Sequence, residues 1–140
     1  DELPVDGLTD RFTSAGCDLV SSLVPNDPAG RLSHQAAYEH VRFGLTGAEA
    51  AFAETGSIVL RSGPGRPRMA SLIPLVHVAL LPADRIFRSQ MHWLTDAGAT
   101  LADATNVIYI TGPSRTADIE QQITLGVHGP REFHIVLVPA

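Results

Sequence analysis

The chain has 140 residues, 44% of them hydrophobic, and a formal net charge of −5. That length fits one globular domain burying roughly two-thirds of its unfolded surface, and the acidic balance, with pI near 5.6, excludes a general nucleic-acid binder, which needs a basic face to displace counterions from phosphates. All ten basic residues are arginine and Cys17 is the single cysteine, which excludes Schiff-base chemistry, the lysine of a phosphate-binding P-loop, an intrachain disulfide and an iron–sulfur cluster held by cysteines of this chain alone.

In chain order, "LTDRFTSAG" reads as a short helix ended by Gly16 and "CDLV" as a strand. "VPNDPAG" (24–30) is turn chemistry that separates the amino-terminal piece from the rest. The segment 33–45, "SHQAAYEHVRFGL", predicts a helix from a Ser33 cap to Gly44, with Ala37, Tyr38 and Val41 on one face. "AAFAETGSIVL" (50–60) predicts a hairpin whose turn uses Gly56, and "RSGPGRPR" (61–68) a loop. "MASLIPLVHVALLP" (69–82) holds a buried strand at "VHVALL", with Pro74 at its start or on an edge. Asp84 is expected to cap a helix through "RIFRSQMHWLTDAG", where Phe87, Met91, Leu94 and Ala97 recur at helical spacing. "NVIYI" (106–110) predicts a strand, "TADIEQQITL" a helix ended by Gly126, and "EFHIVLV" a final strand. Strands alternating with helices across short connections predict an α/β fold with a parallel sheet covered by helices. No apolar run approaches the ~20 residues of a membrane span and no signal sequence opens the chain, so a cytoplasmic protein is expected.

Chemistry concentrates at three loops. In "ITGPSRTADIE" (110–120) a strand is expected to hand over to a helix, where free N–H groups collect beyond a parallel strand's carboxyl end. Gly112 would let a ligand approach, Pro113 would stiffen the turn, Ser114 or Thr116 would cap the helix or bind the ligand, and Arg115 offers a planar fork for a carboxylate or phosphate. Asp118 and Glu120 would lie in the first helical turn, favoured there by the dipole alone, and Arg115 could equally pair with either. In "GVHGPREF" (126–133), His128 beside Gly129 could be an acid or base, or could bond its own turn. In "AETGS", Glu54 with Thr55, Gly56 and Ser57 is the candidate reactive carboxylate: burial would raise its pKa and suit it to act as acid, base or nucleophile. The alternative is a turn residue paired with Arg61 or Arg68. His77 reads as a core or semi-buried histidine. The remaining histidines, including His34, His40, His92 and His134, show no metal-ligand spacing, and no metal is expected.

Taken together, "AETGSIVLRSG" (53–63), "SLIPLVHVAL" (71–80), "ITGPSRTADIE" (110–120) and "GVHGPREFHIVLV" (126–138) resemble the lactate utilisation protein C family, the small single-domain members of the LUD-domain group. The resemblance covers roughly residues 45–138 and implies one domain over 1–140. It also implies a three-layer α/β fold with a mainly parallel central sheet, similar to the sugar-phosphate isomerase and CoA-transferase superfamily. The implied role is in bacterial growth on L-lactate, beside iron–sulfur and oxidoreductase-like partner subunits that carry the redox centres, with no cofactor bound by this chain. The family's segment ahead of the first motif is longer than the 45 residues here, which implies residues missing between about 17 and 30, and no site is placed there.

Three functions are consistent with these residues. The first is a non-redox subunit of a lactate-to-pyruvate oxidation system that binds a small anion or a partner through loops 54–57, 111–116 and 127–131. The second is a stand-alone enzyme on a phosphorylated or acyl-CoA substrate, with Glu54 as reactive carboxylate and Arg115 with the 112–116 amides holding the anion. The third is a ligand-sensing assembly factor, which would bind without turnover.

Overall fold

A computed structural model describes residues 3–21, 23–63, 66, 68–97, 101, 104–117, 123–125 and 129–140. Apolar runs bounded by glycine and proline become its strands. Leu8–Ser14 forms α1, followed by Gly16 at φ 81°, as read from the sequence, but 17–20 is not a strand. Helix α2 spans Pro28–Tyr38, with its cap six residues before Ser33. The cause is Asp27, whose carboxylate accepts the Gly30 N–H at 2.7 Å, with Pro28 preset for the first helical position. The helix stops at Tyr38, and Phe43–Gly47, expected to be helical at its start, is instead strand β1.

Strands β1, β4 (Val76–Pro82) and β9 (Glu132–Val138) form a parallel sheet in the order β1-β4-β9. The chain is therefore α/β with a parallel sheet. Its central strand β4 is the most buried, with Ala79, Leu80 and Leu81 all in the core, as a central parallel strand must be. Helix α3 (Met69–Leu72) lies so close to β1 that a Cβ on Gly44 would collide with the Ala70 carbonyl oxygen, which is why glycine occupies that point of the strand.

The second sheet has the order β5-β2-β3-β6 and joins Ile86–Phe87, Ala50–Phe52, Ser57–Ser62 and Asn106–Ile110. Strands β2 and β3 are the expected hairpin, with Gly56 at φ 68° in its turn. "NVIYI" is a strand, β6, yet it pairs antiparallel with β3 rather than joining the parallel sheet. Asp84 caps no long helix: 83–85 is a 3-10 turn, Ile86–Phe87 pairs beside Ala51–Phe52, and α4 starts only at Gln90 and runs to Ala97. The helix expected over "TADIEQQITL" is overturned at both ends. Arg115–Ala117 (β7) and Ile123–Leu125 (β8) pair antiparallel, in keeping with the β-branched residues Thr116, Ile123 and Thr124; Gly126 lies outside the described residues.

Alternation along β3 builds two cores. Ile58 and Leu60 face the parallel sheet and pack with Ala51, Ala79 and Leu81, with Ile108, Ile110 and Phe133 against them. Val59 faces the other way, with Ala50, Phe52 and Trp93 of α4. Trp93 is 1% exposed, whereas Met91, one of the residues expected to bury, faces solvent. Among the described residues, no helix is long and apolar enough to cross a membrane.

Candidate functional site

The antiparallel register that sets Ile58 opposite Ile110 brings the residue before Ile58 beside the residue after Ile110. The Ser57 hydroxyl lies 2.9 Å from the Thr111 hydroxyl and 2.8 Å from that of Thr55. Ser57 N–H also donates to Thr55 Oγ1 at 3.3 Å. Ser57 is 6% exposed, so its hydroxyl needs these partners, while Thr55 and Thr111 are open to solvent. Each hydroxyl carries one proton and can donate or accept. The chain of three can therefore run either way, presenting a proton at Thr111 in one orientation and a lone pair in the other. That suits a ligand carrying a carboxylate or a hydroxyl.

A second joint abuts this one. Ser114 N–H donates to the Pro130 carbonyl at 2.9 Å, and a Cβ on Gly129 would touch the Ser114 side chain in ordinary contact. Gly112 and Gly56 face open space. Loops 54–57, 111–114 and 129–130 thus meet, as three of the sequence-matched segments were expected to. Their setting differs from expectation: Thr111 follows an antiparallel strand, and β7 replaces the helix whose first turn was to hold an anion. Arg115 is exposed at the start of β7. Thr116 belongs to β7 by its backbone; Asp118, Glu120 and His128 lie outside the described residues.

Glu54 lies on the outside of the hairpin turn. Its side chain is 54% exposed and accepts from Arg88 Nε at 3.3 Å. The burial that would have made it reactive is absent, and its partner is Arg88 rather than Arg61 or Arg68. Arg61 pairs instead with Glu49 at 3.5 Å.

His77 is a core histidine, 1% exposed, as its apolar flanks suggested. Its Nε2 lies 2.8 Å from Thr46 Oγ1, its ring stacks on Phe133 with centroids 5.3 Å apart, and Nδ1 has no hydrogen-bond partner among the described residues. Burial pushes its pKa down to about 4, because desolvation disfavours the imidazolium. Thr111 was missed by the sequence reading: its link to Ser57 is visible only once β3 and β6 are set in register.

The model of the LUD domain matches residues 11–138. A lactate utilization protein C from Exiguobacterium sp. is 40% identical over 99 residues, covering 68% of this chain and 43% of that protein. One from Deinococcus radiodurans is 31% identical over 134 residues, covering 94% of this chain and 59% of that protein. The chain spans about half the length of the curated relatives it matches. Among solved structures, a DUF162 family protein from Deinococcus radiodurans superposes with a TM-score of 0.57 at 22% identity, covering 94% of this chain and 82% of that one. At that identity the likeness speaks for the fold alone.

Proposed function

Because the chain belongs to the LUD-domain family, we propose that it serves lactate utilisation as a non-redox component of a system that oxidises L-lactate to pyruvate. In this reading iron–sulfur and oxidoreductase-like partner subunits carry the electrons. This chain holds a small anionic ligand, or a partner's polar group, where loops 54–57, 111–114 and 129–130 meet. The observation that carries the reading is the Ser57–Thr111 hydroxyl contact at 2.9 Å, set beside the Ser114–Pro130 hydrogen bond. It gathers three separated loops around one reversible set of donors and acceptors. None of Thr55, Ser57 and Thr111 is bonded to a histidine or carboxylate in the described contacts, so binding rather than nucleophilic attack is the chemistry assigned to them.

The test is deletion of the gene in its host, with growth on L-lactate and co-purification of the tagged chain as readouts. The reading expects growth on L-lactate to fail while growth on sugar continues, and expects iron–sulfur subunits to co-purify. Normal growth on lactate together with no associated iron–sulfur subunit would overturn it.

A further inference from the structure

Strands of a parallel sheet are ordinarily buried, yet β9, at the end of this one, pairs among the described residues with β4 alone. Its register with β4 is unbroken over all seven residues from Glu132 to Val138, so no bulge turns it aside. It carries no lysine and no proline, and Ile135, Val136 and Leu137 are 40%, 44% and 57% exposed. Edge strands are usually blunted by bulges, lysines, prolines or a covering element. β9 lacks the first three and shows apolar residues to solvent, which marks it as a strand that takes a neighbour.

The ladder tells which of its backbone groups are free to do so. Val76 N–H donates to the Arg42 carbonyl and the Leu80 carbonyl accepts from Ala48, so the even residues of β4 serve β1 and the odd ones serve β9. Glu132 N–H accordingly donates to the Leu75 carbonyl at 3.2 Å. The N–H and C=O of one strand residue point to the same side, and those of the next residue to the other. Glu132, His134, Val136 and Val138 therefore turn theirs to β4, and Phe133, Ile135 and Leu137 turn theirs outward.

That outward set fits a second copy of itself. When two β9 strands meet antiparallel about a twofold axis at Ile135, Ile135 lies opposite Ile135 and Phe133 opposite Leu137 in both directions. All three outward residues of each strand then sit in hydrogen-bonded pairs. On the other face Val136 meets His134 and Val138 meets Glu132, so no like charges are opposed and the two Glu132 carboxylates fall at opposite ends. Neighbouring registers are poorer. An axis at Leu137 sets Ile135 against Pro139, which has no N–H, and an axis at Phe133 sets Ile135 against Arg131 and leaves Leu137 with no strand residue opposite. A seven-residue strand is roughly 24 Å long, too short to supply the about 800 Å² per partner of a standard interface, so a reversible dimer is expected.

We propose that β9 is a self-association edge, where two copies of this chain join their three-stranded parallel sheets into one continuous sheet through an antiparallel β9–β9 pair centred on Ile135. The experiment combines sedimentation equilibrium of the purified chain, from about 1 μM to about 1 mM, with disulfide trapping in a Cys17→Ser background, Cys17 being the single cysteine. Sedimentation is expected to show a monomer passing to a dimer as concentration rises. Residues opposed in a hydrogen-bonded antiparallel pair have Cα atoms ~5.5 Å apart, within disulfide reach, so Ile135→Cys should cross-link two chains on mild oxidation. Leu137→Cys should not, because its two copies lie roughly 14 Å apart along the ribbon. Ile135→Lys and Ile135→Glu, each opposing like charges at the axis, should be monomeric alone and dimeric when mixed. Circular dichroism checks the fold of each variant, and should the charged variants misfold, the cysteine pair decides. A monomer across the whole range, which would leave the edge to a strand of another protein, overturns the proposal. So does cross-linking at 137 equal to that at 135, or a dimer undiminished in folded Ile135→Lys. None of these residues belongs to the hydroxyl junction, so either outcome leaves the proposed function to its own test.

Discussion

At its amino end β3 turns the Ser57 hydroxyl toward two other hydroxyls, and near its carboxyl end it turns the Arg61 guanidinium toward the carboxylate of Glu49. Between them Ile58, Val59 and Leu60 alternate into two cores and are all buried. Four residues of strand hold the two ends about 13 Å apart. The same strand thus carries a neutral end, whose polarity can reverse, and a charged end, whose sign is fixed. What separates them is the partner each end meets: a loop closing the β3–β6 pair at Ser57, and the crossover from β1 to β2 at Arg61. The packed middle positions both ends while contributing no chemistry to either.

Removing the support of the packed middle has the largest expected effect. Trp93→Ala empties the face on which Val59 and Phe52 rest and is expected to cost about 3–5 kcal/mol, degrading both ends together; urea unfolding reads the loss. A cost below about 1 kcal/mol would mean that α4 does not hold the strand.

Acid acts on the opposite core through His77. In the folded chain this ring takes a proton only near pH 4, whereas in the unfolded chain it does so near 6.5. Above pH 6.5 neither state is protonated and the contribution is constant. As pH falls from 6.5 to about 4, only the unfolded state gains the proton, and stability drops by roughly 3 kcal/mol in total. Urea midpoints at pH 7.5 and 4.5 should therefore separate more for the wild type than for His77→Gln. Equal separations would contradict the buried neutral histidine.

Smaller effects sharpen the contrast between hydroxyls and charges. Ser57→Ala removes two hydrogen bonds, but Thr55 and Thr111 are left open to water, so a stability cost of about 0.5–1.5 kcal/mol is expected by denaturant unfolding. Glu54→Gln breaks only an exposed pair with Arg88. It should change stability by less than about 0.5 kcal/mol and leave growth on L-lactate unchanged, an outcome that a reactive carboxylate would not allow.

Much of this frame was legible in the residues. The hairpin around Gly56 and the strands at 76–82, 106–110 and 132–138 lie in apolar runs punctuated by glycine and proline, and local patterning was enough to find them. The misread segments share another cause. Phe43–Gly47 is a strand because β4, more than thirty residues onward, offers it a parallel edge, and Ile86–Phe87 extends because Ala51–Phe52 lies alongside. Pairing between distant segments overrode helical spacing in both. The same limit hid half of the candidate site: Ser57 stood out beside Gly56, but its partner Thr111 follows only from strand register.

The most direct test of the account is growth on L-lactate of a strain in which the chromosomal gene carries Ser57→Ala and Thr111→Val, with the protein's cellular level checked by blotting. The account predicts slowed growth on L-lactate at a normal protein level, with growth on sugar unaffected. Growth on L-lactate equal to that of the wild type would contradict the assignment of function to the hydroxyl junction.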